Sequence, residues 1–206
     1  MTKNSYHHGD LADALLIAAE DELIEKGVEG ISLRSVAKRA GVSHGAPAHH
    51  FGNARGLLTA LAGKGYERLR AMQSREEAAA ASEPRAKLIA NGLGYIKFAM
   101  ENRELFRLMF NSSVPDRHNE AFAAVSYAVF DKLISQTEAH TGHSPLRHEA
   151  SMTELMASWS IVHGLAELIV SGRAELPLSL KDKSPETRDA LIKAIIGQVN
   201  LSVDRS

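Results

Sequence analysis

The sequence predicts an all-α protein in which a small N-terminal three-helix unit precedes a larger helical body, and three observations predict it. Apolar residues recur at helical spacing along most of the chain. No stretch of any length alternates with the period of a strand, and glycine and proline fall at the ends of the periodic segments. The 206 residues suffice for a sizeable core. They divide into a head of residues 1–75 and a body of residues 76–206, where the acidic, alanine-rich tract Glu76 to Ser82 is followed by Pro84.

The first helix is expected from Asp10 to about Lys26. Leu11, Leu15, Ala19 and Leu23 recur every four residues with Leu16 alongside, and Ile17 and Ile24 are expected to widen the same apolar face. Gly27 ends it. Ser32 then caps a second helix whose inner stripe is Leu33, Val36, Ala37 and Ala40, while Arg34, Lys38 and Arg39 project outward. Gly41 supplies the left-handed residue that stops this helix, Val42 tucks beneath the turn, and Ser43 is expected to cap a third helix from about His44 to His50. Two short helices separated by about three residues, with a glycine between them, have the form of a helix-turn-helix. Asn53 is expected to cap a fourth helix and so aim its N-terminal amides at an anion such as phosphate.

The third helix is poorly equipped for mere support. His44, Gly45, Ala46, Pro47, Ala48, His49 and His50 include no large aliphatic side chain, so Phe51 is expected to anchor it, and Pro47 is expected to cost one backbone bond. Those small residues have another use: they let backbone approach a duplex, alanine can touch a thymine methyl, and His44 and His49 offer ring nitrogens to bases or phosphates. Charge points the same way. The chain as a whole carries −1, yet residues 32–75 carry +7, against −5 for residues 1–31 and −3 for residues 76–206. A basic patch around a reading helix is the footprint of phosphate contacts.

The run GVSHGAPAHHFGNARGLL, Gly41 to Leu58, resembles the signature of the TetR family of one-component transcriptional regulators, in which a Gly-Val-Ser turn precedes the recognition helix and a His-Phe pair closes it. The opening Tyr6 to Leu11 and the helix from Asp10 are similar to that family too, so the matching motifs span about residues 6–62. The resemblance implies a bacterial regulator, in most members a repressor, with double-stranded DNA as partner. Two positions depart from it. Many relatives have a tyrosine where this chain has Ala48 and a lysine where it has Ala54, and both commonly touch phosphates; Arg55, with His49 or His50, is expected to replace them. The expected DNA-binding set is therefore Ser32, Arg34, Ser43, His44, Gly45, Ala46, Ala48, His49, His50, Asn53 and Arg55.

In the body, helices are expected over Arg85 to Glu101, Arg103 to Phe110, Asn119 to Thr141, Leu146 to Gly172 and Pro185 to Val203, with breaks at Pro115, Gly142, Pro145, Gly172 and Pro177. Leu191, Ile192, Ile195, Ile196, Val199 and Val203 make a face broad enough for the subunit interior on one side and a partner on the other. The resemblance implies that the last two long helices pair two copies into a homodimer. Most body aromatics are expected in the core, and Tyr95, Phe98, Phe110, Phe122, Tyr127, Trp159 and His163 are the candidates to line a pocket for a small-molecule effector. Trp159, His163 and Gly164 also resemble a Trp-His-Gly signature of one TetR subset. His163 itself is expected as a core histidine satisfied by a carbonyl, with a pocket role as the alternative.

His140, His143 and His148 straddle Gly142 and Pro145 at no metal-binding spacing, and a solvated loop is expected there with no metal and no cofactor. No phosphate-cradling glycine loop, nucleophile elbow or paired carboxylates appear, so no enzyme is expected. With no cysteine, no signal-like segment and no membrane-spanning apolar run, the expected location is cytoplasmic, away from the membrane. Ala48, Ala54 and the sparse side chains of the third helix leave one alternative open: a helical ligand-binding or interaction protein that no longer reads DNA.

Overall fold

The computed structural model describes residues 8–198, and every described element is helical. In chain order these are α1 (His8–Lys26), α2 (Leu33–Arg39), α3 (Ala46–Phe51), α4 (Ala54–Ala78), α5 (Pro84–Glu101), α6 (Arg103–Phe110), α7 (Glu120–Thr141), α8 (Glu149–Val170), α9 (Glu175–Leu178) and α10 (Pro185–Ile196). Short 3-10 turns lie at Val28–Gly30 and Leu180–Asp182. Tyr6, His7, Val199 and Val203, invoked above, lie outside the described residues.

The described residues pack as two compact units. One runs to Tyr66 and includes Glu104–Ser126; the other holds Glu67–Arg103 and the described residues from Tyr127 onward. In the first unit α1, α2 and α3 pack pairwise. Leu15, Leu16, Ala18, Ala19, Leu23, Val36, Ala37, Leu57, Leu58 and Leu61 are buried in it. Tyr66 meets Phe110 and Phe122 edge-on, at centroid distances of 5.7 and 5.6 Å. Ile17 and Ile24 correct the expectation for α1: each is 64% exposed, because they fall one residue past the Leu16–Leu23 stripe and turn towards solvent. In their place the buried stripe takes in a carboxylate, Glu22, which is 3% exposed.

In the second unit α5 is the central helix, packed on α8 and α10. Its residues from Ala90 to Ile96 are all buried, which requires partners on every side of the helix. Several polar groups in this layer are paired, although Asp189 Oδ1 is buried without a hydrogen-bond partner among the described residues. Gln73 Nε2 donates to Asn91 Oδ1 at 2.8 Å, and Lys97 Nζ bridges Glu76 (2.9 Å) and Asp189 (2.6 Å). Burial pushes the Lys97 ammonium down, but Asp189 and Glu76 outweigh it and hold its pKa above the ordinary lysine value.

Several expected boundaries shift for identifiable reasons. α8 begins at Glu149 rather than Leu146, since His148 is its N-cap: the ring Nδ1 accepts from the Ser151 amide. Leu146 stays 68% exposed in the preceding turn. Pro177 does not break a helix but sits within the four-residue α9, where its missing N–H would have had no intrahelical partner. Gly142 and Gly172 end α7 and α8 with positive φ, as expected. The three histidines expected in a solvated loop have partners: His143 and His148 stack at 4.6 Å, and His140, in the last turn of α7, places Nε2 3.1 Å from the buried Glu154 carboxylate. Among the described residues no cluster could hold a metal ion, and no helix is long and apolar enough to cross a membrane.

Candidate nucleic-acid interface

The geometry of the head follows from its caps. Ser32 caps α2 in a reciprocal pair with Ser35: Ser32 Oγ accepts from the Ser35 amide at 3.1 Å, and Ser35 Oγ accepts from the Ser32 amide at 3.2 Å. Gly41 has φ 67°, the left-handed value that favours glycine, and it turns the chain so that the Val42 amide donates to the Ala37 carbonyl at 3.0 Å. Val42 is half-buried beneath the turn.

The third helix starts later than expected, at Ala46 with Gly45 as N-cap, and no side chain caps it. The reason is in the turn itself, where the Ala46 amide is taken by the Ser43 carbonyl at 3.0 Å, so that Ser43 and His44 form turn rather than helix. Pro47 then falls in the first turn, where an amide has no intrahelical acceptor, so it costs no bond. It is also the buried residue of α3, whereas Phe51 is only half-buried; the anchor is the proline. At the next corner Gly56 is obligatory, since a Cβ there would lie 2.0 Å from the Phe51 carbonyl oxygen. Asn53 Oδ1 accepts from the Gly56 amide at 2.9 Å, the expected cap of α4.

This frame leaves one face of the head open. Ser43, His44, Gly45, Ala48 and His49 are exposed, as are Ser32, Arg34, Asn53 and Arg55; Ala46 and His50 are half-buried. The His49 and His50 rings meet edge-on at 5.4 Å. Nothing lies within 4 Å of a Cβ built on Gly45, so backbone can approach a partner there.

Five of the eight cations counted into the basic patch have partners: Lys64 lies 4.0 Å from Asp13, Arg68 donates to Asn102 at 2.6 Å, Arg75 lies 3.9 Å from Glu76, and Arg39 and Arg55, nearest the third helix, are the most committed. Arg39 does not project freely: its Nε donates to Glu22 Oε1 at 2.7 Å and its terminal nitrogens grip Glu25, which pins α2 to α1. Lys26 and Arg39 together hold the Glu22 carboxyl at about 2, well below the usual carboxylate range, against the opposing effect of burial. Arg55 Nε donates to the Val114 carbonyl at 3.0 Å, and a terminal nitrogen sits 3.8 Å from Asp116. The same loop is fixed from below by the buried Thr59, whose Oγ1 donates to the Arg55 carbonyl (2.7 Å) and accepts from the Asp116 amide (2.9 Å). Arg34 and Lys38 are exposed and form no ion pair among the described residues.

Sequence reasoning missed Glu22, Thr59 and Asp116. For Glu22 a signal existed: it falls on the Leu15–Ala19–Leu23 stripe, and a carboxylate on a buried stripe requires a cation. For Thr59 and Asp116 none did, because their partnership joins residues far apart in the chain.

The seven pocket candidates are divided between the two units. Phe110 and Phe122 belong to the first unit, against Tyr66; the other five belong to the second. There Tyr95 and Phe98 are buried in α5, Tyr127 is 65% exposed and Trp159, beside Phe130, is 36% exposed. His163 is half-buried and satisfied by a hydroxyl rather than a carbonyl: Tyr95 Oη lies 2.8 Å from its Nδ1. Burial lowers its pKa, opposed by Glu167. A cleft of about 530 Å³ opens elsewhere in this unit, lined by Glu77, Lys87, Lys132 and Gln136 among others and by none of the seven.

A capped short helix, a glycine turn and an exposed second helix of small residues define a helix-turn-helix regulator. Comparison with known proteins agrees. Residues 15–61 match bacterial regulatory proteins of the tetR family, and residues 88–194 match a tetracyclin repressor-like C-terminal domain. The chain belongs to the TetR family of transcriptional regulators. The chain is 41% identical over 76 residues to the HTH-type transcriptional regulator BetI of Burkholderia thailandensis, a match spanning 37% of this chain and 39% of that relative's length. A protein of unknown function from Rhodococcus sp. RHA1 has the same fold with a TM-score of 0.73 and 30% identity, over 95% of this chain and 97% of that one. The TetR family regulator PfmR of Thermus thermophilus superposes with a TM-score of 0.64 at 17% identity, over 93% and 99% of the two chains.

Proposed function

We propose that this protein is a homodimeric repressor that binds a palindromic operator through α3 and its preceding turn, and is released from it by a small, largely apolar ligand held in the body. The division into a DNA-reading head, residues 1–75, and an effector and dimerisation body, residues 76–206, is part of this reading, as is a cytoplasmic site of action. The observation that carries it is the exposure of His44 and Gly45 in the turn, and of Ala48 and His49 on the helix that Pro47 anchors from behind. Nothing larger than an imidazole projects from that face, so the helix can seat deeply in a major groove. Ser43, Asn53, Arg34 and Arg55 flank it at positions suited to phosphate.

Dimerisation is supported by α8. Met156, Ile161 and Leu168 are exposed on it, and nothing lies within 4 Å of a Cβ built on Gly164, which leaves space for a second helix. Two heads on a two-fold axis would read half-sites about 34 to 36 Å apart. An effector typically shifts such binding by about 5-fold to 150-fold. Fluorescence anisotropy against the DNA upstream of the protein's own coding region, across a salt series, tests the reading: saturable binding that weakens steeply with salt is expected. The alternative, a helical ligand-binding protein that does not read DNA, is favoured by the engagement of Arg55 with Val114 and Asp116. Absence of binding at low salt would select it.

A further inference from the structure

We propose that the cleft around Gln136 is a ligand site, and that it takes a small molecule with an apolar body, one O–H donor for the Gln136 amide oxygen and no positive charge. Calling that molecule the effector rests on the regulator reading; the site does not. The cleft, about 530 Å³, lies between the C-terminal end of α4, the start of α5 and α7, within the range usual for small-ligand sites. Ala78, Pro84 and Ala139 supply apolar wall.

Of its polar side chains, Ser74 and Ser82 supply hydroxyls, and Ser135 Oγ donates to the Asp131 carbonyl at 2.9 Å. Glu77 is satisfied at both oxygens: Oε1 accepts from Asn91 Nδ2 at 2.9 Å and Oε2 from Lys132 Nζ at 3.0 Å. Lys87 Nζ donates to the carbonyls of Glu77 (2.5 Å) and Ala80 (3.2 Å), which closes the end of α4. Gln136 differs. It is among the residues lining the cleft, it is only 7% exposed, and its Oε1 is buried with no hydrogen-bond partner among the described residues. A buried acceptor left unpaired is unfavourable until a donor reaches it. Two lysines against one glutamate leave the cleft with a net positive charge, which turns away an ammonium donor and leaves a neutral hydroxyl.

The test uses the full chain and three fluorinated probes followed by fluorine NMR. Para-fluorophenol carries the donor, para-fluoroanisole lacks it, and para-fluorobenzylammonium adds a positive charge. The phenol is expected to bind about 3- to 10-fold more tightly than either other probe, the ratio that one buried hydrogen bond supplies. Gln136→Met should weaken phenol binding by a similar factor while leaving the melting temperature equal or higher, because it removes an unpaired polar group at nearly constant volume. Equal or tighter anisole binding, an unchanged affinity in the variant, or no phenol binding by the folded protein would each overturn the assignment. Should the variant fail to fold, the phenol-to-anisole ratio in the wild type decides alone. DNA anisotropy on the same sample without probe reports separately on the regulator reading.

Discussion

Replacing Glu22 by glutamine tests what holds the head together. The carboxylate is 3% exposed, takes Arg39 Nε at 2.7 Å and pairs with Lys26. Glutamine keeps the volume but removes the charge, and its amide group can turn an N–H towards donors that already point at it. A fully buried pair that loses one member costs about 3 to 5 kcal/mol, and an exposed one costs about 1 or less. Arg39 and Lys26 are 28% and 44% exposed at their side chains, so the loss falls between, at about 1.5 to 3 kcal/mol. At about 2 to 4 °C per kcal/mol for a chain of this size, the melting temperature should drop by about 3 to 12 °C at neutral pH. The sign of the pH effect is fixed as well. A carboxyl whose folded pKa is lowered, here from 4.5 to about 2, contributes fully above pH 4.5 and loses its contribution as pH falls from there towards 2. Calorimetry of wild type and Glu22→Gln from pH 7 down to 3 should therefore show the two curves converging below pH 4. A difference that stays constant across that range would refute the assignment of the α1–α2 lock to this carboxylate.

Other residues give sharp outcomes. Gly56→Ala drives a methyl onto the Phe51 carbonyl and should destabilise the head by about 2 kcal/mol or more and abolish DNA binding, measured by thermal denaturation and anisotropy. Arg55→Ala should weaken binding to every DNA sequence alike and lower the salt slope by about 1, whereas Asp116→Asn, which removes its carboxylate neighbour, should strengthen binding; an unchanged slope in the first would remove Arg55 from the phosphate-contact set. Gly164→Glu places a charge on the open face of α8 and should convert dimer to monomer in sedimentation, with the melting temperature little changed if the residue faces only the partner.

Much of this fold was legible because it is written in local patterns. Helix ends with a mechanism came out well: Ser32, Gly41, Asn53, Gly142 and Gly172 act as the sequence predicts, each through a cap or a positive φ set by neighbours a few residues away. What was not legible depends on distance. Ile17 and Ile24 look like core on the helical wheel, yet nothing in α1 alone says how wide a face its neighbours will cover. Arg39 and Arg55 count as free cations until the fold brings Glu22, Glu25, Val114 and Asp116 to them. Sequence places the third helix two residues early because a serine before a run of small residues reads as a cap, while the backbone bond from Ala46 to Ser43 makes that serine part of the turn. The pocket candidates rest on aromatic character, and aromatic residues in a helical body are mostly core; the unpaired acceptor at Gln136 has no signature in sequence.

The central claim is that the face carrying Gly45 seats against DNA, and Gly45→Leu tests it most directly. Gly45 has φ −80° and open space around its Cβ position, so the substitution leaves the fold and the melting temperature intact. In anisotropy with operator DNA the account predicts an affinity loss of at least about tenfold, the cost of holding the helix away from the bases. A folded Gly45→Leu protein that binds the operator as tightly as wild type would contradict it.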